Sequence, residues 1–144
     1  MLADAPLAYI TTLADAAERP HADYAGFVDR CSSGVQNAMF VADADGALVG
    51  QAFGAIHPTE PDKTMVYAVY VAPAYRGRGL LEGLVDAVAE WSRITGRPTL
   101  ELEVVTSNVR ALRAYQKLGF VCTDDPVPHP TVPVMQELVL RRTA

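Results

Sequence analysis

The chain has 144 residues, 50% of them hydrophobic and 20% charged, with a formal net charge of −5, which predicts a single domain over residues 1–144 with ample material for a core. The acidic balance excludes the broad basic face that nucleic acid or an anionic membrane demands, and no apolar run approaches the roughly 18 residues of a membrane span. No basic residue precedes Arg19 as a signal peptide requires, and Cys31 and Cys122 lack any zinc or disulfide spacing, so a soluble cytoplasmic protein without a metal site is expected.

Pro6 suits the first turn of a helix whose stripe is Leu7, Ile10, Ala14 and Ala17, stopped by Arg19 and Pro20. A second helix is expected with Asp23 as its cap, because Tyr24, Phe27, Val28 and Cys31 recur at helical spacing before Ser32-Ser33-Gly34. Ala38 to Ala42 and Ala47 to Ile56 flank Asp43-Ala44-Asp45-Gly46 and predict a β-hairpin. Thr64 to Val71 is a continuous apolar and aromatic run, the pattern of a central strand covered on both faces.

A helix follows, with Leu80, Leu81, Leu84, Val85, Val88 and Trp91 as its buried stripe and Gly96 and Pro98 at its end. Thr99 to Val105 alternates as a strand, placing Glu101 and Glu103 on the same face. Asn108 to Leu118 reads as the last helix, capped by Ser107 or Asn108 and ended by Gly119. Phe120 to Thr123 and Val132 to Leu140 read as closing strands around the loop from Pro126 to Pro133. Helices and strands in this order predict an α/β or α+β fold with helices packed on a central mixed sheet.

Three features carry chemistry. Arg76-Gly77-Arg78-Gly79 lies between a strand and a helix, where small residues let the backbone approach a ligand and a helix start offers unpaired N–H groups to an anion. Asn108, Ala111 and Tyr115 share one helix face, with the small residue leaving room between an amide and a phenol. Glu103 is the carboxylate better placed for a cleft at the end of its strand. A dinucleotide fingerprint fails because Glu82 stands where its third glycine belongs, and no P-loop pattern occurs. His21, His57 and His129 show no triad or metal spacing and read as ordinary loop residues, with lining of an acceptor pocket as the lesser alternative.

The run Val71-x-Pro73-x-Tyr75-Arg76-Gly77-Arg78-Gly79, together with Asn108-x-x-Ala111-x-x-x-Tyr115-x-Lys117-Leu118-Gly119-Phe120, resembles the GNAT superfamily of acetyl-CoA-dependent N-acetyltransferases. The resemblance implies a splayed mixed sheet whose strand end, Val69, Tyr70 and Val71, binds the pantetheine arm and acetyl group of acetyl-CoA through backbone groups. It implies that Arg76, Gly77, Arg78, Gly79, Leu80 and Leu81 hold the pyrophosphate and that Asn108 bonds the pantetheine arm. Tyr115 would be the general acid for the departing thiolate and Glu103 the general base for the acceptor, a primary amine of a small molecule or peptide.

Two departures are visible. Leu81 stands where the family usually has Gly or Ala, so its side chain must turn into the core stripe. An initial strand usual in the family is not evident before Leu7. The alternative function is an acetyl-CoA-binding sensor without transfer, and a second copy of the chain is a further candidate partner. Tyr24 to Cys31 and Pro126 to Pro133 are the expected acceptor loops.

Overall fold

The structure, a computed structural model, describes residues 13–130 and 132–144. The expectations for Pro6, Leu7, Ile10 and a strand ahead of them lie outside the described residues. Helices α1 (Leu13–Glu18) and α2 (His21–Ser32) come first. Pro20 caps α2 with an extended backbone at φ −56° and ψ 140°, so the helix begins ahead of the expected cap. Asp23 instead sits in the first turn, where a carboxylate suits the positive end of the helix dipole. The Tyr24 hydroxyl donates to the carbonyl of Ala16 at 2.7 Å and ties the two helices together.

Strands β1 (Asn37–Ala44) and β2 (Ala47–Ile56) form the expected hairpin. Its turn residues Asp45 and Gly46 have φ of 53° and 84°, the paired left-handed geometry that matches the twist of two-residue hairpins. β3 (Lys63–Val71) pairs antiparallel with β2 and parallel with β4 (Thr99–Val105), the crossover running through α3 (Leu80–Ile94). The β3–β4 pairing involves only Lys63, Thr64 and Met65, opposite Thr99, Leu100 and Glu101. Beyond Met65 the two strands part, so the sheet is splayed.

After α4 (Val109–Lys117) come β5 (Val121–Cys122), β6 (Val127–Pro128) and β7 (Gln136–Thr143). β7 pairs along the whole of β4, while β5 and β6 both border β7. β7 starts later than the sequence suggested. Pro130 and Pro133 cannot donate ladder bonds, and the chain there closes on itself through the Met135 N–H to Val132 at 2.8 Å and the His129 N–H to Met135 at 2.9 Å.

One sheet face packs on α3 through Gly50, Ala52 and Gly54, where a Cβ added at Gly54 would lie 2.9 Å from the Trp91 ring and 3.0 Å from Val88. The core beneath joins Val85 and Val88 to Leu100, Leu102, Phe120 and Leu140. On the other face α2 covers only part of the sheet, with the Phe27 ring 5.2 Å from that of Phe53. β3 is therefore not covered on both faces as expected: Tyr67 is 40% exposed, because separation from β4 turns that face into a cleft.

Candidate active site

The splay opens a cleft of about 1340 Å³ between the ends of β3 and β4, and nearly every residue singled out from sequence lines it. β3 reaches it through a β-bulge. Ala68 holds φ 48°, the register slips between Gln51 and Phe53, and the Gln51 side-chain amide donates to the Ala68 carbonyl at 3.0 Å to fasten the irregularity. Val69, Tyr70 and Val71 then line the cleft.

A short 3₁₀ turn, Pro73–Tyr75, leads from β3 to α3. Gly77 and Gly79 follow with φ of 73° and 80°, and a Cβ at either would meet nothing within 4 Å, so the surface above both is open. Gly79 is the N-cap of α3 and brings no side chain to the helix start. Leu80, Leu81 and Glu82 are the first residues of α3, so their N–H groups have no partner within the helix, and all three line the cleft. Such a donor set suits a compact anion.

The arginines divide. Arg76 lines the cleft while its Nε donates to the Val71 carbonyl at 2.9 Å, which locks the turn to the strand end. Arg78 is not among the lining residues; its guanidinium sits 5.6 Å from the Tyr75 ring centre. Leu81 packs partly against the core and also forms part of the cleft wall.

α4 supplies the other side. Of the two expected caps, Asn108 takes the role, its Oδ1 accepting from the Ala111 N–H at 3.2 Å. That leaves the amide NH₂ of Asn108, a cleft-lining residue, as a donor toward a ligand. Tyr115 also lines the cleft and is only 9% exposed, with its ring against Phe120 at 5.6 Å in an edge-to-face contact.

The two glutamates of β4 share a face, as alternation requires, but have different surroundings. Glu101 is buried where the strands still pair: it binds Arg141 Nε at 2.6 Å, lies 3.7 Å from Lys63 Nζ and faces His57 Nε2 at 3.3 Å. His57, Glu60 and Glu101 bring ligand atoms within 4.8 Å of one another, but Lys63 and Arg141 already neutralise this cluster. Glu103, one step beyond the splay, is exposed in the cleft and makes no hydrogen bond or ion pair with the described residues. Tyr67 beside it is held neutral, its phenol pushed up by burial and by the charges of Glu103 and Glu101.

His57 and His129 lie in loops, as the sequence suggested, but each also faces a glutamate. His57 accepts the N–H groups of Thr59 and Glu60 on Nδ1, at 3.2 and 3.0 Å, and turns Nε2 to Glu101. His129 repeats the device, accepting the Val132 N–H on Nδ1 at 3.1 Å and turning Nε2 to Glu137 Oε1 at 3.6 Å. His129 and Glu137 line the cleft, and sequence reasoning had assigned Glu137 no role. Tyr24, Phe27 and Arg30 of α2 line it as well.

Residues 7–120 match the model of the acetyltransferase (GNAT) family. A mycothiol acetyltransferase of Mycobacterium avium (strain 104) is 38% identical over 86 residues, which cover 55% of this chain and 27% of that protein. The chain thus spans about a quarter of that relative's length. A GCN5-related N-acetyltransferase from Kribbella flavida superposes with a TM-score of 0.73 at 26% identity, covering 99% of this chain and 86% of that one. The Salmonella typhimurium protein yncA, solved with its cofactor acetyl-CoA, gives a TM-score of 0.74 at 17% identity and covers 95% and 79% of the two chains.

Proposed function

The chain belongs to the acetyltransferase (GNAT) family, and on that premise we propose that it transfers the acetyl group of acetyl-CoA to a primary amine of a small molecule or peptide. The observation that carries the proposal is the meeting, in one cleft, of an uncapped helix start with a carboxylate of β4 and a phenol of α4.

Acetyl-CoA supplies an activated thioester. The first N–H groups of α3 and Arg76 bind its pyrophosphate, and the bulged end of β3 and the Asn108 amide align the arm that carries the acetyl group. Glu103 accepts a proton from the amine, because its carboxylate is the one on β4 not already neutralised by a cation. Tyr115 gives a proton to the departing sulfur; phenol and aliphatic thiol have ordinary pKa values of about 10 and 8.5, near enough for transfer.

Tyr115→Phe tests this assignment. Turnover should fall by about 10²-fold, while the acetyl-CoA dissociation constant stays within about twofold. Unchanged turnover would remove Tyr115 from proton transfer. Acetyl-CoA binding without thiol release, whatever the amine, would favour the sensor.

A further inference from the structure

Tyr67 of β3, Glu103 of β4 and Glu137 of β7 stand on neighbouring strands, and all line the cleft. In the β4–β7 register Glu103 opposes Val139 and Val105 opposes Glu137. The two glutamates are therefore diagonal neighbours on one face, a spacing across which long side chains reach a common ligand.

Among the described residues no Lys or Arg forms an ion pair with either carboxylate. Arg141 is engaged by Glu101 at 2.6 Å and Asp124 at 3.4 Å, and Lys63 by Glu60 and Glu101. Glu103 has no ion pair with the described residues. Glu137 has His129, whose Nδ1 accepts the Val132 N–H at 3.1 Å while Nε2 faces Glu137 Oε1 at 3.6 Å. The backbone contact thus holds the imidazole in place against the carboxylate. Burial pushes the Glu137 carboxyl up and Glu103 adds to this, with His129 opposing. Beside the pair, the rings of Phe27, Phe53 and Tyr67 form a continuous row, with centroids 5.2 and 6.2 Å apart.

We propose that Glu137, oriented by His129, is a specificity-determining residue for the acceptor: with Glu103 it receives the amine as an ammonium carried on an apolar or aromatic group. This deepens the acyl-transfer reading and rests on it. Glu103 takes one proton from the ammonium and later releases it to water. The neutral amine then forms the C–N bond as the C–S bond breaks, the thiolate takes the Tyr115 proton, and the second proton leaving nitrogen restores Tyr115. His129 is a positioning residue throughout.

Binding of 2-phenylethylammonium and of its uncharged counterpart 2-phenylethanol, measured by calorimetry on protein saturated with CoA, reads this site without turnover. Wild type should prefer the ammonium by about tenfold or more, the effect of a charge-assisted hydrogen bond, and Glu137→Gln should bring the two ligands within about threefold. His129→Ala should weaken the preference, and His129→Gln, whose amide still donates, should restore much of it. In acetyl transfer, Glu137→Gln should raise KM for the amine about tenfold with kcat within about threefold and KM for acetyl-CoA unmoved.

Equal binding of the two ligands to wild type, or a preference that survives Glu137→Gln, overturns the proposal. If Glu137→Gln abolishes the preference but no amine is ever acetylated, ammonium selection stands and the transferase reading falls. If transfer proceeds with KM for the amine unchanged in Glu137→Gln, the transferase reading stands and the role of Glu137 falls.

Discussion

Gly79→Ala separates the cost of a backbone conformation from the cost of a blocked ligand site. Gly79 holds φ 80° and a Cβ there would touch nothing within 4 Å, so in the ligand-free protein the substitution should cost only the left-handed strain of about 1–2 kcal/mol. Gly96, at the far end of α3, holds φ 79° with the same open surroundings and lies outside the cleft lining. Gly96→Ala is therefore a matched control for strain. Both variants should lose about 2–8 °C in Tm, since 1 kcal/mol moves a domain of this size by about 2–4 °C or somewhat more. Only Gly79→Ala adds a methyl beside the free N–H groups of α3, where the pyrophosphate is proposed to lie. Losing one or two of those hydrogen bonds should weaken acetyl-CoA about 10- to 100-fold by calorimetry, while Gly96→Ala leaves affinity within about twofold. Equal acetyl-CoA affinities in the two variants would refute the placement of the pyrophosphate at this helix start.

Gly54→Ala should destabilise by about 1–3 kcal/mol in urea unfolding, because its Cβ lies too close to the Trp91 ring and Val88 on an already packed helix; a neutral result would mean that α3 moves off β2 without cost. Glu103→Gln should lower kcat/KM for the amine by about 10²-fold with acetyl-CoA affinity unchanged, and kinetics at wild-type levels would point to another base or to water. Burial raises the folded-state pKa of Glu137, so the unfolded chain sheds its proton first and wild-type stability falls as pH rises from the ordinary glutamate range through that raised value. Glu137→Gln should match wild type near pH 4 and exceed it at pH 7. A stability difference independent of pH would contradict the buried carboxylate.

The helices and strands that bear the site were legible because each has a long, unmixed period. The stripe from Leu80 to Trp91 and the alternation from Leu100 to Val104 became α3 and β4, and both β4 glutamates share a face as the alternation required. Their different fates were not legible. Glu101 is buried by Arg141 and Glu103 left open because β3 and β4 part after Met65, a property of the pairing and not of either strand alone.

The bulge at Ala68 also escaped the sequence, since an alanine at φ 48° has no local signature and is fastened by Gln51 from another strand. The glutamate partners of the two histidines escaped it for a similar reason. His57 and His129 each capture a backbone N–H three residues ahead, a local cue, but the glutamates they orient become neighbours only when the sheet forms. β7 began late because Pro130 and Pro133 reserve the preceding segment for a closed turn, which places His129 at the cleft.

The most direct test is thiol release from acetyl-CoA by the wild-type protein across a panel of primary amines and peptide N-termini, with mass analysis of the products. Amine-dependent thiol release with stoichiometric N-acetylated product is the expected result. Tight acetyl-CoA binding with no amine-dependent release, across acceptors spanning small aliphatic, aromatic and peptide amines, would contradict catalysis and leave a binding module.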